Sequence, residues 1–207
     1  MAAQLIKLYE DNPNLRHVRQ VVKALEEGGI VVFPTDSVYA VGCDIRANRA
    51  IEMIARHKGT DPSNPDMSLM FHDLSQLSDY TIIRNNNIFK LIKRNTPGPF
   101  TFIVQANNQI PKMFRNRKKT VGIRIPGNQV VISLIQDLGF PLISASVHDQ
   151  DEIIEYTTDP ELIYEKYRDF ADVVIDAGYG KNEPSTVVDC TGDEPEIIRQ
   201  GIGEVEW

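Results

Sequence analysis

Six short blocks of the chain combine hydroxyl-bearing residues, glycines and arginines, which are residue types that bind carboxylates and phosphates. In chain order they are PTDSVYAVG (34–42), TPGPFT (96–101), TVGIRIP (120–126), SASVH (144–148), PSTVVD (184–189) and IIRQG (197–201). The sequence has no Walker loop, no dinucleotide-binding glycine triplet, no His-Glu-x-x-His zinc helix and no Gly-x-Ser-x-Gly elbow. Its four histidines also lack metal-ligand spacing. The blocks therefore favour the binding of a charged ligand.

The block around Arg124 carries the most specific prediction. Alternation along a strand places Thr120, Gly122 and Arg124 on one face, while Val121 and Ile123 face a helix layer. An arginine on the glycine-bearing face can hold a carboxylate or phosphate through two parallel hydrogen bonds. Arg124→Lys would then lose ligand binding with little effect on stability. The alternative is an ion pair between Arg124 and an acid of the C-terminal third.

The block at 34–42 directly follows an apolar strand, Ile30 to Phe33. Ligand sites in open α/β sheets lie beyond the carboxyl ends of strands, so hydroxyls here are expected to face a pocket. The alternative is a turn in which Thr35 and Asp36 cap a short helix.

The charge of the chain is unevenly distributed. The formal net charge is -7, yet residues 84–124 contain ten bases and no acid, whereas residues 149–207 contain four bases and 17 acids. Clustered bases concentrate a positive potential and favour a local anion site; the alternative is that they are solvated helix and strand faces. We expect four of them to lie at a cavity rim and to bind polyanions: Arg115, Arg117, Lys118 and Lys119.

The elements that must position these blocks alternate between apolar strands and helices. One predicted helix runs from Pro13 to Glu27 with Asn12 as its N-cap, and Gly28-Gly29 ends it. Such alternation indicates an α/β domain with a partly parallel sheet. The 207 residues fit a single domain, 1–207. No apolar stretch is long enough for a membrane helix, and two distant cysteines favour a reducing cytoplasm over a disulfide scaffold.

Together and in this order, the six blocks resemble the YrdC/YciO family of threonylcarbamoyl-AMP synthase-like proteins, and most closely its YciO branch. The resemblance spans about residues 5–203. It implies a single-domain, twisted open sheet of mixed strands flanked by helices, with a concave, positively charged cavity and no additional C-terminal domain. It also implies the condensation of L-threonine, bicarbonate and ATP for the modification of tRNA. Mg²⁺ would be bound through the ATP phosphates and water.

The resemblance assigns roles by position. It implies threonine contacts at Thr35, Arg124, Ser146 and Ser185, and nucleotide contacts at Lys58, Thr120, His148 and Arg199. Positioning and electrostatics would perform the chemistry, with no catalytic side chain and no protein-held metal. Two positions depart from the synthases, which have arginine in place of Thr60 and asparagine in place of His148. These departures favour an alternative function, the binding of RNA, including double-stranded RNA, or of a nucleotide without synthesis.

Overall fold

The computed structural model describes residues 2–63, 65–112, 119–147 and 155–207. The strands in these residues are β1 (Gln4–Lys7), β2 (Val31–Phe33), β3 (Ala40–Asp44), β4 (Ser68–Met70), β5 (Thr81–Ile82), β6 (Phe100–Ala106), β7 (Thr120–Arg124), β8 (Leu142–Ser146), β9 (Val173–Asp176), β10 (Thr186–Asp189) and β11 (Glu196–Arg199). The helices are α1 (Leu15–Glu26), α2 (Asn48–His57), α3 (Leu74–Tyr80), α4 (Asn86–Asn95), α5 (Gln129–Leu138), α6 (Glu155–Thr158) and α7 (Pro160–Tyr167).

The described strands form one mixed sheet. Its order is β1-β9-β2-β3-β8-β4-β7-β6-β10-β11, and β5 pairs with β6. Strand β9 lies between β1 and β2 and is parallel to both. Along the centre, β2, β3, β8 and β4 pair antiparallel in turn, and β4 is parallel to β7. The prediction of a mixed, partly parallel α/β sheet is confirmed. The single-domain assignment for 1–207 remains a prediction.

Helices cover the two faces of the sheet unequally. Helices α2, α3, α4 and α7 contribute buried side chains to one core, together with Val121 and Ile123 of β7. Helices α1 and α5 form the other core against strands β1, β9 and β2, with single residues from β3, β4 and β8. The second face is therefore left open over the remaining strands, and this opening creates the cavity described below. No helix in the described residues has the length and apolar character to span a membrane.

Two details of the sequence interpretation are wrong. The first helix begins at Leu15 with Asn14 as its cap, not at Pro13 with Asn12, because the Asn14 side chain accepts a hydrogen bond from the Arg16 N–H at 3.0 Å. The predicted end at Gly28 is confirmed by its left-handed φ of 82°.

Strand β3 was not predicted, because its sequence AVGCD contains a glycine and an aspartate and reads as a loop. All five of its residues are buried, and its two edges pair with β2 and β8. A Cβ on Gly42 would collide with the carbonyl oxygen of Ile143 in β8, so only glycine fits there.

The N-cap of α5 carries a first testable prediction. The buried Asn128 side chain accepts hydrogen bonds from the N–H groups of Val130 and Val131, at 3.1 and 3.3 Å. We expect Asn128→Ala to lower the free energy of unfolding by about 1–2 kcal/mol, measured by urea denaturation. The exposed cap Asn14 makes one such bond, so Asn14→Ala is the matched control, with an expected loss of about 0.5–1 kcal/mol. Equal effects of the two variants would contradict the prediction.

Candidate binding cavity

The open part of the sheet bears a cavity of about 410 Å³. Strands β3, β4, β6, β7, β8 and β10 form its floor, and the segments before β4 and at the end of β11 form its walls. The residues that line it are Val38, Ala40, Pro65, Asp66, Met67, Ser68, Thr101, Ile103, Thr120, Val121, Gly122, Arg124, Ser144, Ala145, Ser146, Ser185, Val187 and Arg199. Thr120, Gly122 and Arg124 all line it, as the alternation of β7 predicts.

Small hydroxylated residues form a row across the cavity floor. Ser68 of β4 pairs with Gly122 of β7 on one side and with Ser144 of β8 on the other. A Cβ on Gly122 would lie 3.1 Å from the Ser68 hydroxyl and 3.2 Å from the Thr101 methyl. Because this residue is glycine, the side chains of Ser68 and Thr101 can pack closely over it. The cavity floor is therefore rich in hydroxyl donors and acceptors.

Ser185 joins this floor to the wall at β11. Its hydroxyl lies 2.9 Å from that of Thr101, and both residues are buried. The Arg199 guanidinium donates to the Ser185 carbonyl oxygen, at 2.8 Å from Nη2 and 3.3 Å from Nε. Arg199, which also lines the cavity, thus holds the backbone that presents Ser185.

Arg124 is the most buried cation of this site, at 7% exposure. Its Nη2 donates to Asp36 Oδ1 at 2.7 Å and to Ser37 Oγ at 3.0 Å. Its Nε is buried and has no hydrogen-bond partner among the described residues. Burial lowers the pKa of the guanidinium, while the charge of Asp36 opposes that shift. The ion pair considered as the alternative for Arg124 does exist, but its acid is Asp36 near the N-terminus and not one of the C-terminal third.

Thr35 lies behind the cavity wall and not among the residues that line it. Its hydroxyl donates to the Val38 carbonyl at 2.7 Å, accepts from the Ser37 N–H at 3.0 Å and lies 3.1 Å from the Ser37 hydroxyl. These contacts form a turn between β2 and β3, and no helix follows it. The alternative is therefore partly correct, because the turn exists but it connects two strands and caps no helix.

The predicted nucleotide and rim residues are only partly brought together. Of the predicted nucleotide contacts, Thr120 and Arg199 line the cavity, whereas Lys58 is half-buried at the end of α2 and is not a lining residue. The predicted threonine contact Ser146 also lines the cavity. Burial lowers the pKa of Lys58. Lys119 is exposed immediately before β7. The predictions for His148, Arg115, Arg117 and Lys118 lie outside the described residues.

Thr60, which departs from the synthase pattern, has a local role. Its hydroxyl donates to the Ala55 carbonyl at 3.2 Å, next to the left-handed Gly59 that ends α2. The side chain satisfies a carbonyl at the helix end, as expected for a terminal residue.

Sequence reasoning did not identify Asp36 and Ser37 as partners of Arg124. One signal was available, because a buried arginine requires an acid and Asp36 is the acid of the block that directly follows strand β2.

Comparison with known proteins identifies the family to which the chain belongs. The Sua5_yciO_yrdC family, described as "Telomere recombination", matches residues 23–201. The chain belongs to the Sua5/YciO/YrdC family, which confirms the resemblance found in the six blocks.

Within the family, the chain is similar to the uncharacterized protein YciO of Escherichia coli K12, at 37% identity over 99% of this chain and 98% of YciO. The crystal structure of E. coli YciO superimposes with a TM-score of 0.90, covering 98% of this chain and 97% of YciO. A threonylcarbamoyl-AMP synthase of Vibrio vulnificus is 27% identical over 89% of this chain and 98% of the synthase. The crystal structure of P. abyssi Sua5 complexed with L-threonine shares the fold, with a TM-score of 0.83, 24% identity, and coverage of 97% of this chain and 61% of Sua5.

Proposed function

We propose that the protein is a cytoplasmic threonylcarbamoyl-AMP synthase-like enzyme that binds L-threonine in this cavity and condenses it with bicarbonate and ATP. The single observation that carries the proposal is a cavity lined by Arg124, Arg199 and the hydroxyl-bearing residues Ser146 and Ser185. Guanidinium groups and hydroxyls are the donors that bind a ligand carboxylate. The floor hydroxyls of Ser146 and Ser185 would bind the polar groups of threonine.

The chemistry requires little from the protein beyond positioning. The amine of threonine adds to the carbon of bicarbonate with loss of water, and an oxygen of the resulting carbamate attacks the α-phosphorus of ATP as pyrophosphate leaves. Fixed donors that hold the carboxylate, and cations near the phosphates, would accelerate this step. Mg²⁺ would be bound chiefly by the ATP phosphates and water, as is usual for this ion in nucleotide-dependent enzymes.

Turnover with radiolabelled L-threonine, bicarbonate and ATP tests this function directly. We expect pyrophosphate and a threonyl-containing adenylate to form in equal amounts, with a rate at least tenfold lower for Ser185→Ala, which loses the hydroxyl between Thr101 and Arg199. The variant, purified identically, is the control for a contaminating synthase. Folded protein with no product above the enzyme-free blank, or equal rates for both proteins, would contradict the proposal.

The basic segment, residues 84–124, supports a second candidate function, the binding of RNA. Helix α4 exposes Lys90, Lys93 and Arg94, and none of them forms an ion pair with an acid of the described residues. An RNA bound to this segment and to the predicted rim would be held mainly through its phosphates.

Salt dependence tests RNA binding. We expect the logarithm of the affinity for double-stranded RNA to fall linearly with the logarithm of the salt concentration. Replacing Arg115, Arg117, Lys118 and Lys119 by alanine should reduce that slope by about three. The control replaces four exposed bases outside the segment: Lys7, Arg16, Arg19 and Lys23. A flat salt dependence, or equal slopes for the two variants, would show that the segment is a solvated surface only.

A further inference from the structure

The hydrogen-bond partners of Arg124 restrict how a ligand can bind to it. Its Nη2 carries two hydrogens, and Asp36 and Ser37 accept one each. A carboxylate bound through two parallel hydrogen bonds needs Nη2 together with Nε or Nη1, and Nη2 is already used. The paired grip expected from the sequence is therefore blocked unless Asp36 or Ser37 moves. A ligand can instead accept only from a guanidinium nitrogen other than Nη2.

Asp36 is held firmly in this arrangement. Its second oxygen accepts a hydrogen bond from the Gly127 N–H at 2.7 Å, which ties the turn after β2 to the segment that leads into α5. Ser37, the other acceptor, is held by Thr35 through its N–H and hydroxyl. The Asp36 side chain is only 9% exposed, and it is not among the residues that line the cavity.

Asp36 also sets the charge at this end of the cavity. Arg124 and Arg199 both line the cavity and lie close enough for the charge of Arg199 to lower the pKa of Arg124. Asp36 cancels one of these two positive charges, so their combined charge is +1. The carboxylate of Asp36 weakens the attraction of the two arginines for any anion, and because the interaction energy scales with the ligand charge, the weakening is twice as large for a dianion as for a monoanionic group.

We propose that Asp36 is a specificity-determining residue that admits a single carboxylate to Arg124 and excludes phosphate dianions from it. This inference rests on the proposed binding of threonine, whose carboxylate is the group admitted. Asp36 would thereby keep the two anions of the proposed reaction apart, with the amino acid at Arg124 and the ATP phosphates elsewhere in the cavity. Thr35, Asp36 and Ser37 act here through Arg124 without touching the ligand.

The Nε–H resonance of Arg124, observed by ¹⁵N NMR and assigned by its loss in Arg124→Lys, reports binding at this position alone. Wild-type protein, Asp36→Asn and Asp137→Asn are each titrated with L-threonine and with inorganic phosphate at pH 8. Asp137 is an exposed residue of α5, so its variant makes the same chemical change away from the cavity. We expect threonine, but not phosphate, to shift the resonance in wild type and in Asp137→Asn.

In Asp36→Asn, phosphate affinity at Arg124 should rise at least tenfold. The affinity for threonine should change less than threefold, because its ammonium group offsets its carboxylate. Equal phosphate affinities for Asp36→Asn and Asp137→Asn would overturn the inference, and so would a phosphate shift in wild type at the concentrations at which threonine acts. If wild type bound no threonine but Asp36→Asn gained phosphate binding, the proposed function would fail and the role of Asp36 would stand. If Asp36→Asn did not fold, the two wild-type titrations would decide.

Discussion

Replacing Arg124 by methionine is expected to lower the free energy of unfolding by about 3–5 kcal/mol and to abolish stabilisation of the protein by L-threonine. The change leaves the Asp36 carboxylate buried without the cation that contacts it at 2.7 Å, and an uncompensated buried charge is strongly destabilising. Urea denaturation measures the first effect and a thermal-shift titration with threonine the second. The double variant Asp36→Asn/Arg124→Met removes both charges, so it should recover most of the stability but none of the threonine response.

Arg124→Lys separates the structural and ligand-binding roles of the residue. The interpretation from sequence predicts an unchanged melting temperature without ligand, but the buried contacts of Arg124 with Asp36 and Ser37 predict a lower one. A lysine ammonium keeps the charge but cannot reproduce the planar arrangement of donors. We therefore expect part of the stability to be retained and the threonine response to be lost. Normal threonine binding in this variant would show that Arg124 serves only the ion pair.

Gly201→Ala is expected to destabilise the protein by about 3 kcal/mol and to weaken threonine binding at least tenfold. A Cβ at this position would overlap the Pro184 carbonyl oxygen and lie 2.6 Å from the carbonyl carbon of Ser185. Both are backbone atoms that cannot rotate away, so the segment before β10 must shift. That shift would move the Ser185 hydroxyl off the cavity floor.

Gly192→Ala is the matched control for this substitution. A Cβ on Gly192 would meet only the Glu194 carbonyl oxygen, at 3.6 Å, which is an ordinary van der Waals distance. Its stability and threonine affinity should equal those of the wild type. If Gly201→Ala had the melting temperature and threonine affinity of the control, the close packing of Gly201 would have no energetic consequence.

The parts of the fold that could be predicted from the sequence are those that depend on neighbouring residues, such as the ends of a helix and the two faces of a strand. Helix α5 runs from Gln129 to Leu138, and both of its end signals are local: Asn128 caps its start and the left-handed Gly139 ends it. The direction of the Arg124 side chain also follows from the strand itself, since alternation in β7 leaves Arg124 on the face opposite Val121 and Ile123.

The parts that could not be predicted depend on contacts between distant segments. Asp36 and Arg124 are 88 residues apart, so no local pattern reveals that they form an ion pair. The same holds for Thr35, whose hydroxyl was expected in the cavity but is used by its own turn. The place of β3 in the middle of the sheet is likewise decided by its partners β2 and β8.

The insertion of β9 between β1 and β2 has a consequence for how the chain is made. During synthesis, β1 and β2 emerge about 140 residues before β9, and at about 5–20 residues per second that interval lasts roughly 7–28 s. Throughout it, β1 and β2 lack the strand that pairs with both of them in the folded protein, so their hydrogen-bonding edges are open to incorrect pairing. This end of the sheet can therefore be completed only when synthesis is nearly finished.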